Sequence, residues 1–246
     1  MVKIFHNEFT RFLEKIKQEE QFSLVRFHDG ENYILENKSI DITEKANGEF
    51  KYEQDSKDYE FYRKKLIESL QYKQSNYYVG IMPGCCVKAG NEGHIRMVQM
   101  SNQDEEHMTF ATVFFNSNYV RAKEELIPLL TQRDVVLIVN EKANISTLPF
   151  KPKKVFTVGT NAWVIDYLRM TIEIQLYVGE NELKNKIFLF CAGPLSNMLI
   201  YDLSKVNRDN TFINFGSILD QYMFQEPTRW YQTNKNGHGE HGCVWT

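Results

Sequence analysis

The sequence predicts an α/β fold: a single doubly wound, Rossmann-like, mostly parallel sheet flanked by helices. Two observations lead there. Short runs rich in β-branched and aromatic residues alternate with stretches whose apolar residues recur at helical spacing. Residues 135–139, Val-Val-Leu-Ile-Val, are apolar throughout, as expected of a strand covered on both faces. Ligands of such sheets bind beyond the carboxyl ends of the strands, so the turns that follow strands are where function is sought.

The elements can be taken in order. Phe9, Phe12, Leu13 and Ile16 place an amphipathic helix over residues 7–19. Residues 22–27 form a strand that runs into His28-Asp29-Gly30-Glu31, read as a turn. Residues 38–57 are polar and charged, and are expected as a loop. Tyr62, Leu66, Ile67 and Leu70 give a second helix over 58–71. A strand at 77–81 ends in the turn Met82-Pro83-Gly84-Cys85-Cys86. Residues 109–115 fit a strand or the edge of an apolar helix, and 119–130 a helix before the strand at 135–139. A short strand at 155–158 leads through Gly159-Thr160-Asn161-Ala162 into a helix from Trp163. The strand at 187–191 leads through Ala192-Gly193-Pro194-Leu195-Ser196 into a helix reaching Leu203, and 212–215 is the last strand. Residues 1–224 are expected as the folded domain, and 225–246 as a C-terminal extension with a flexible, glycine-bearing end.

Bulk properties narrow the field. A chain of 246 residues can bury a large core without disulfides or metal staples. The net charge of -3 argues against nucleic acid as a partner. The densest basic cluster, Lys151-Pro152-Lys153-Lys154, reads as a solvated loop. The 17 Phe and 13 Tyr are assigned mainly to the core. Adjacent Cys85 and Cys86 lack the usual metal-ligand spacing, and Cys191 reads as a buried thiol. No signal peptide is recognised, so a reducing, cytoplasmic setting is expected, and no apolar run approaches the roughly 18–20 residues of a transmembrane segment. A homo-oligomer is compatible with all of this.

The chemistry-bearing residues lie at strand ends. Asp29 and Glu31 flank Gly30, which permits a sharp turn and close approach of a ligand. Such a pair can meet on a hard cation such as Mn²⁺ or Mg²⁺, or serve only as a solvated, helix-capping turn. Arg26 is expected to meet phosphate or to pair with one of these carboxylates. The Gly193-Pro194-Leu195-Ser196 turn before a helix suits phosphate, through backbone N–H groups and the helix dipole. Neither a dinucleotide fingerprint nor a P-loop is present. Asn161 is read as a helix cap or a contact to a nucleobase. Ser217 and Asp220 form either an acidic capping box or part of the site. The tail Gly237-His238-Gly239-Glu240-His241-Gly242-Cys243 gathers metal-capable groups, but its glycines point to adventitious binding.

The run Ser23-Leu24-Val25-Arg26-Phe27-His28-Asp29-Gly30-Glu31 resembles the N-terminal signature of the GT-D fold glycosyltransferases, with its arginine and Asp-x-Glu motif. The likeness extends to Gly159-Thr160-Asn161-Ala162, to the Gly193-Pro194 turn, and to the stretch from Ile213 to Tyr222. It spans roughly residues 9–224. Three positions depart from the family pattern: His28 in place of Gly, Asn214 in place of Asp, and Ser217 in place of His. The resemblance implies transfer of a sugar from a nucleotide-sugar donor, UDP-linked, to an acceptor hydroxyl of a glycan or glycoprotein. It implies Asp29 and Glu31 as the Mn²⁺ or Mg²⁺ ligands and as catalytic residues, with Asp220 as the base. The nucleotide-sugar side is assigned to Arg26, Gly30, Asn161, Gly193, Pro194, Ser196 and Ser217. A catalytically impaired nucleotide- or glycan-binding module and a metal-dependent phosphohydrolase are the competing readings.

Overall fold

A computed structural model of the chain describes residues 3–44, 49–233 and 242–245. Seven strands form the main sheet: β1 (Ser23–Phe27), β4 (Tyr77–Ile81), β5 (Met108–Phe110), β6 (Val135–Asn140), β7 (Lys154–Val158), β8 (Ile187–Cys191) and β9 (Thr211–Asn214). Their spatial order is β5-β4-β1-β9-β8-β6-β7, and every pairing is parallel. β2 (Ile40–Asp41) and β3 (Lys51–Tyr52) form a separate antiparallel pair. The helices are α1 (Phe5–Lys17), α2 (Asp29–Leu35), α3 (Lys57–Gln71), α4 (Gly90–Ser101), α5 (Tyr119–Arg121), α6 (Ile127–Leu130), α7 (Ala162–Ile165), α8 (Tyr167–Glu180), α9 (Pro194–Val206) and α10 (Asp220–Met223).

Alternation along each strand splits the core into two layers. Val25 and Phe27, Val79 and Ile81, Ile138, Phe188 and Phe212 face one side, against α3, α8 and α9. Leu24, Tyr78, Leu137, Leu189 and Ile213 face the other, against the aromatic stripe of α1. There Phe12 packs on Phe22 at 5.5 Å and edge-on to Tyr78 at 5.4 Å. Helices on both faces make the sheet doubly wound, as the alternation of elements predicts.

Four differences from the expected elements appear. Residues 38–57 are not an irregular loop: they contain β2 and β3, too short for periodicity to register. Asp29 and Glu31 sit in the first turn of α2, not in an open turn. α4 is absent from the sequence reading because Gly90 and Gly93 are poor helix formers. Gly93 is nonetheless required, since a Cβ there would lie 2.3 Å from the Ala89 Cβ. The expected helix at 119–130 is interrupted by a π-turn over Ala122–Leu126. Pro128 follows in the first turn of α6, where its missing N–H and ring clash disfavour a regular upstream hydrogen bond.

The described parts of 225–246 pack against the domain. Tyr231 and Cys243 are buried, and Val244 bridges to Ile4. Among the described residues, no helix is long and apolar enough to cross a membrane. Phe12→Ala is expected to destabilise the protein by about 3–5 kcal/mol, because a fully buried ring is removed from an aromatic cluster. Urea unfolding followed by circular dichroism measures this, and a loss below about 1 kcal/mol would contradict the assigned packing.

Candidate functional site

β1 pairs with β4 along its whole length but with β9 only through Ser23 and Leu24. Beyond Leu24 the two strands part, and a cavity of about 840 Å³ opens at the carboxyl ends of the sheet. That size falls within the usual range of ligand sites, roughly 300–1,000 Å³. Parting leaves the Arg26 N–H and C=O without a strand partner, and Asn197 of α9 supplies one. The Arg26 N–H donates to Asn197 Oδ1 at 2.9 Å, and Asn197 Nδ2 donates to the Arg26 carbonyl at 2.8 Å. These two bonds fix which end of the amide is oxygen. The same oxygen accepts from Asn214 Nδ2 at 2.8 Å.

The Arg26 side chain runs into the cavity wall. Its Nε donates to the Ala111 carbonyl and its Nη1 to the Asn214 carbonyl, 3.3 Å away. The guanidinium lies 3.9 Å from the centre of the Phe115 ring, which stacks on Tyr231. Burial lowers its pKa to about 10, so it stays charged near pH 7. Its bonds are thus to carbonyls rather than to Asp29 or Glu31. Gly216 adopts φ +55°, and a Cβ there would fall 2.7 Å from Arg26 Nη1.

Asp29 and Glu31 both line the cavity, but in different ways. At helical spacing, residues i and i+2 point about 200° apart. Glu31 turns inward, is 9% exposed, and accepts from the His28 N–H at 3.1 Å. Asp29 keeps 40% of its side chain exposed. Burial raises both carboxyls above their ordinary values. For Asp29 the N–H and charge of Lys88 oppose the rise; for Glu31 the His28 N–H and the Arg26 charge oppose it. Burial, then the charges of Arg26 and Arg229, lower the His28 imidazole well below its usual value. His28 is therefore neutral near pH 7, and its 3.8 Å approach to Asp29 is not an ion pair there. The Asp29 and Glu31 carboxylates offer oxygen, the donor type that Mn²⁺ and Mg²⁺ take.

Gly30 has a role that no local sequence pattern marks. A Cβ at Gly30 would lie 2.7 Å from Phe50 Cζ, so the glycine makes room for that ring, which enters from the β3 side; at Gly193 the ring is at ordinary contact distance, 3.4 Å from a Cβ. Gly193 also adopts φ +55°, before Pro194 opens α9. Gly193 and Pro194 line the cavity.

Two expected contacts lie elsewhere. Ser196 is fully buried and accepts from the Ala192 N–H at 3.1 Å, so its hydroxyl shapes the turn beneath the cavity. Asn161 makes no capping bond to α7. Its side-chain oxygen accepts from the Lys51 N–H at 3.2 Å and from Trp163 Nε1 at 2.9 Å, pinning β3 to α7. No capping box joins Ser217 and Asp220 either. Ser217 Oγ bonds the Tyr231 hydroxyl at 2.7 Å, and buried Asp220 accepts from Thr228 Oγ1 at 2.6 Å. Both face the cavity.

The stretch after Phe224, which offered no counterpart in the resemblance, supplies Thr228, Arg229, Trp230 and Tyr231 to the cavity. Arg229 forms an ion pair with Glu49, tying this stretch to the chain before β3. No motif marks Arg229; an isolated arginine in a polar run carries no periodic signal. His238 and His241 lie outside the described residues.

No family profile and no curated protein matches the sequence. Solved structures share the fold. The selenomethionine-substituted structure of domain of unknown function 1792 aligns with TM-score 0.56 and 19% identity, covering 94% of this chain and 85% of that one. A structure described as showing that this highly conserved domain has a distinct glycosyltransferase fold aligns with TM-score 0.54 and 19% identity, covering 94% and 85%. A third, described as a new glycosyltransferase (DUF1792) from Streptococcus sanguinis, gives TM-score 0.54 and 15% identity over 94% and 88%. At such identities the likeness is one of fold.

Two predictions test the site. Asn214→Asp places a carboxylate against Asn197 Oδ1, which cannot donate without releasing Arg26. A loss of about 1–3 kcal/mol is expected in chemical unfolding, and a stability equal to wild type would contradict the network. Asp29→Asn removes a carboxylate that folding disfavours in its charged form. Its folded pKa is raised, so the cost is present above that range and absent once both states are protonated. With chelator present, the variant should melt higher than wild type at pH 7, and the difference should vanish near pH 3.

Proposed function

We propose that the protein is a metal-assisted glycosyltransferase, moving a sugar from a UDP-linked donor to an acceptor hydroxyl of a glycan or glycoprotein. One observation carries this reading. An Asp-x-Glu pair opens a helix at the end of β1 and faces a ligand-sized cavity, in a fold shared with structures described as glycosyltransferases. Asp29 and Glu31 would hold Mn²⁺ or Mg²⁺, which when bound neutralises charge on the departing diphosphate. Gly193, at the start of the 13-residue α9, presents its N–H and the positive end of the helix dipole to the donor phosphates, and Pro194, which has no N–H to offer, fixes the helix start. Arg26 and Arg229 add positive charge to the cavity wall. Asp220, buried and fixed by Thr228, takes the proton from the acceptor hydroxyl. The protein acts in the cytoplasm.

A thermal-shift panel of nucleotide sugars, with and without Mn²⁺, tests the donor side. At a ligand concentration of 100 Kd a stabilisation of about 2.7 kcal/mol is expected for wild type, and none that depends on metal for Asp29→Ala. An unchanged shift in that variant would remove Asp29 from the metal site. Asp220→Asn should retain donor binding while turnover falls by about 10²–10⁴-fold. Donor binding without transfer or hydrolysis of any nucleotide sugar would favour a binding module. Release of phosphate from simple phosphoesters would favour a phosphohydrolase.

A further inference from the structure

Beside the cavity, three cysteines from two distant parts of the chain meet, none of them in a disulfide. Cys85 and Cys86 lie on the short 3-10 turn Gly84–Cys86 that follows β4. Cys243 returns to them across 157 positions. The sulfurs of Cys85 and Cys86 are 3.5 Å apart, those of Cys86 and Cys243 are 3.2 Å apart, and all three lie within 4.8 Å of one another. Among the described residues this is the one group of three or more metal-capable side chains so arranged.

The surroundings are built to present sulfur. Asn116 Nδ2 donates to Cys243 at 3.1 Å and to Cys86 at 3.3 Å, and Thr112 Oγ1 donates to Cys243 at 3.3 Å. The Val244 N–H donates to Cys85 at 3.4 Å. Every sulfur of the group therefore receives at least one N–H or O–H, an arrangement that stabilises thiolates bound to a metal. The backbone that carries Cys243 is held from outside the group. Trp245 packs edge-on to His94 at 4.8 Å and to Phe110 at 5.2 Å, and Gly242, at φ +71°, leaves no space for a Cβ beside Phe5.

We propose that Cys85, Cys86 and Cys243 form a three-thiolate site for Zn²⁺. A tetrahedral zinc with bonds of about 2.3 Å sets its sulfurs about 3.8 Å apart, which falls within the spread of this group. Soft thiolates select zinc over the hard cations suited to Asp29 and Glu31, so the site is chemically separate from the donor-side carboxylates. Binding releases the thiol protons to solvent, and the Asn116, Thr112 and Val244 donors offset the excess negative charge. The fourth position is left to water. Cys86, Thr112 and Asn116 also line the cavity, so the metal would lock one cavity wall to the C-terminal segment.

The test uses the full chain, reduced, incubated with ZnSO₄ and gel-filtered. One zinc per chain is expected by elemental analysis. With Co²⁺ in place of zinc, an intense thiolate-to-cobalt charge-transfer band is expected. Cys243→Ser and Cys85→Ser should each lose stoichiometric zinc and that band, while Cys191→Ser should keep both. Cys85 is exposed, so its variant removes a ligand without disturbing the core, and circular dichroism verifies folding. Absence of retained zinc in wild type, or equal retention in the Cys85 and Cys243 variants, would overturn the proposal. So would a Cys86–Cys243 disulfide in protein isolated without added oxidant.

Discussion

A parallel sheet that opens a ligand site must separate two neighbouring strands, and separation strands backbone hydrogen-bonding groups. Here the Asn197 amide resolves that conflict. It offers one acceptor and one donor to the backbone of Arg26, imitating the strand that has moved away. The remaining acceptor capacity of its oxygen takes Asn214 on the strand opposite. Much of the site hangs on this amide. It holds the end of β1, from which α2 and its two carboxylates begin, and it reaches β9, which carries Asn214 into the turn before Ser217. Arg26 then uses its side chain to bridge to the Ala111 and Asn214 carbonyls, adding β9 and the chain beyond β5 to the same frame.

The electrostatics of the cavity work against the folded state. Asp29 and Glu31 are raised, and His28 and Arg26 lowered, all with burial as the leading cause. Each shift is in the direction that disfavours charge. Such a concentration of disfavoured charge marks a site suited to a charged ligand. The Glu49–Arg229 pair is satisfied internally.

What the sequence disclosed follows from how each signal is encoded. The sheet was legible because buried strands need continuous apolar runs, and 77–81, 135–139 and 187–191 have them. The carboxylate pair was legible because it directly follows such a run. The role of Gly30 was not, because the ring it accommodates is twenty positions away, just before a strand of two residues. Asn161 and Ser196 carry the residue types of a nucleotide contact, yet backbone groups close by claim their side chains. Arg229 and Tyr231 escaped notice since their placement depends on tertiary packing, which leaves no local pattern. The departure at Asn214 gained a meaning only once its acceptor, Asn197, was located.

Phe50 has a consequence for how this chain can change over time. Its ring rests against Gly30 and Gly193, two positions that belong to different helices and to opposite halves of the sequence. A side chain at Gly30 collides with the ring, and a smaller residue at 50 relieves it. Gly193 meets the ring only at ordinary contact distance and is constrained instead by its left-handed backbone. Positions 30 and 50 are therefore inherited as a pair with a fixed order of release. Position 50 must shrink before position 30 can drift, whereas position 193 can change only if the turn itself is rebuilt.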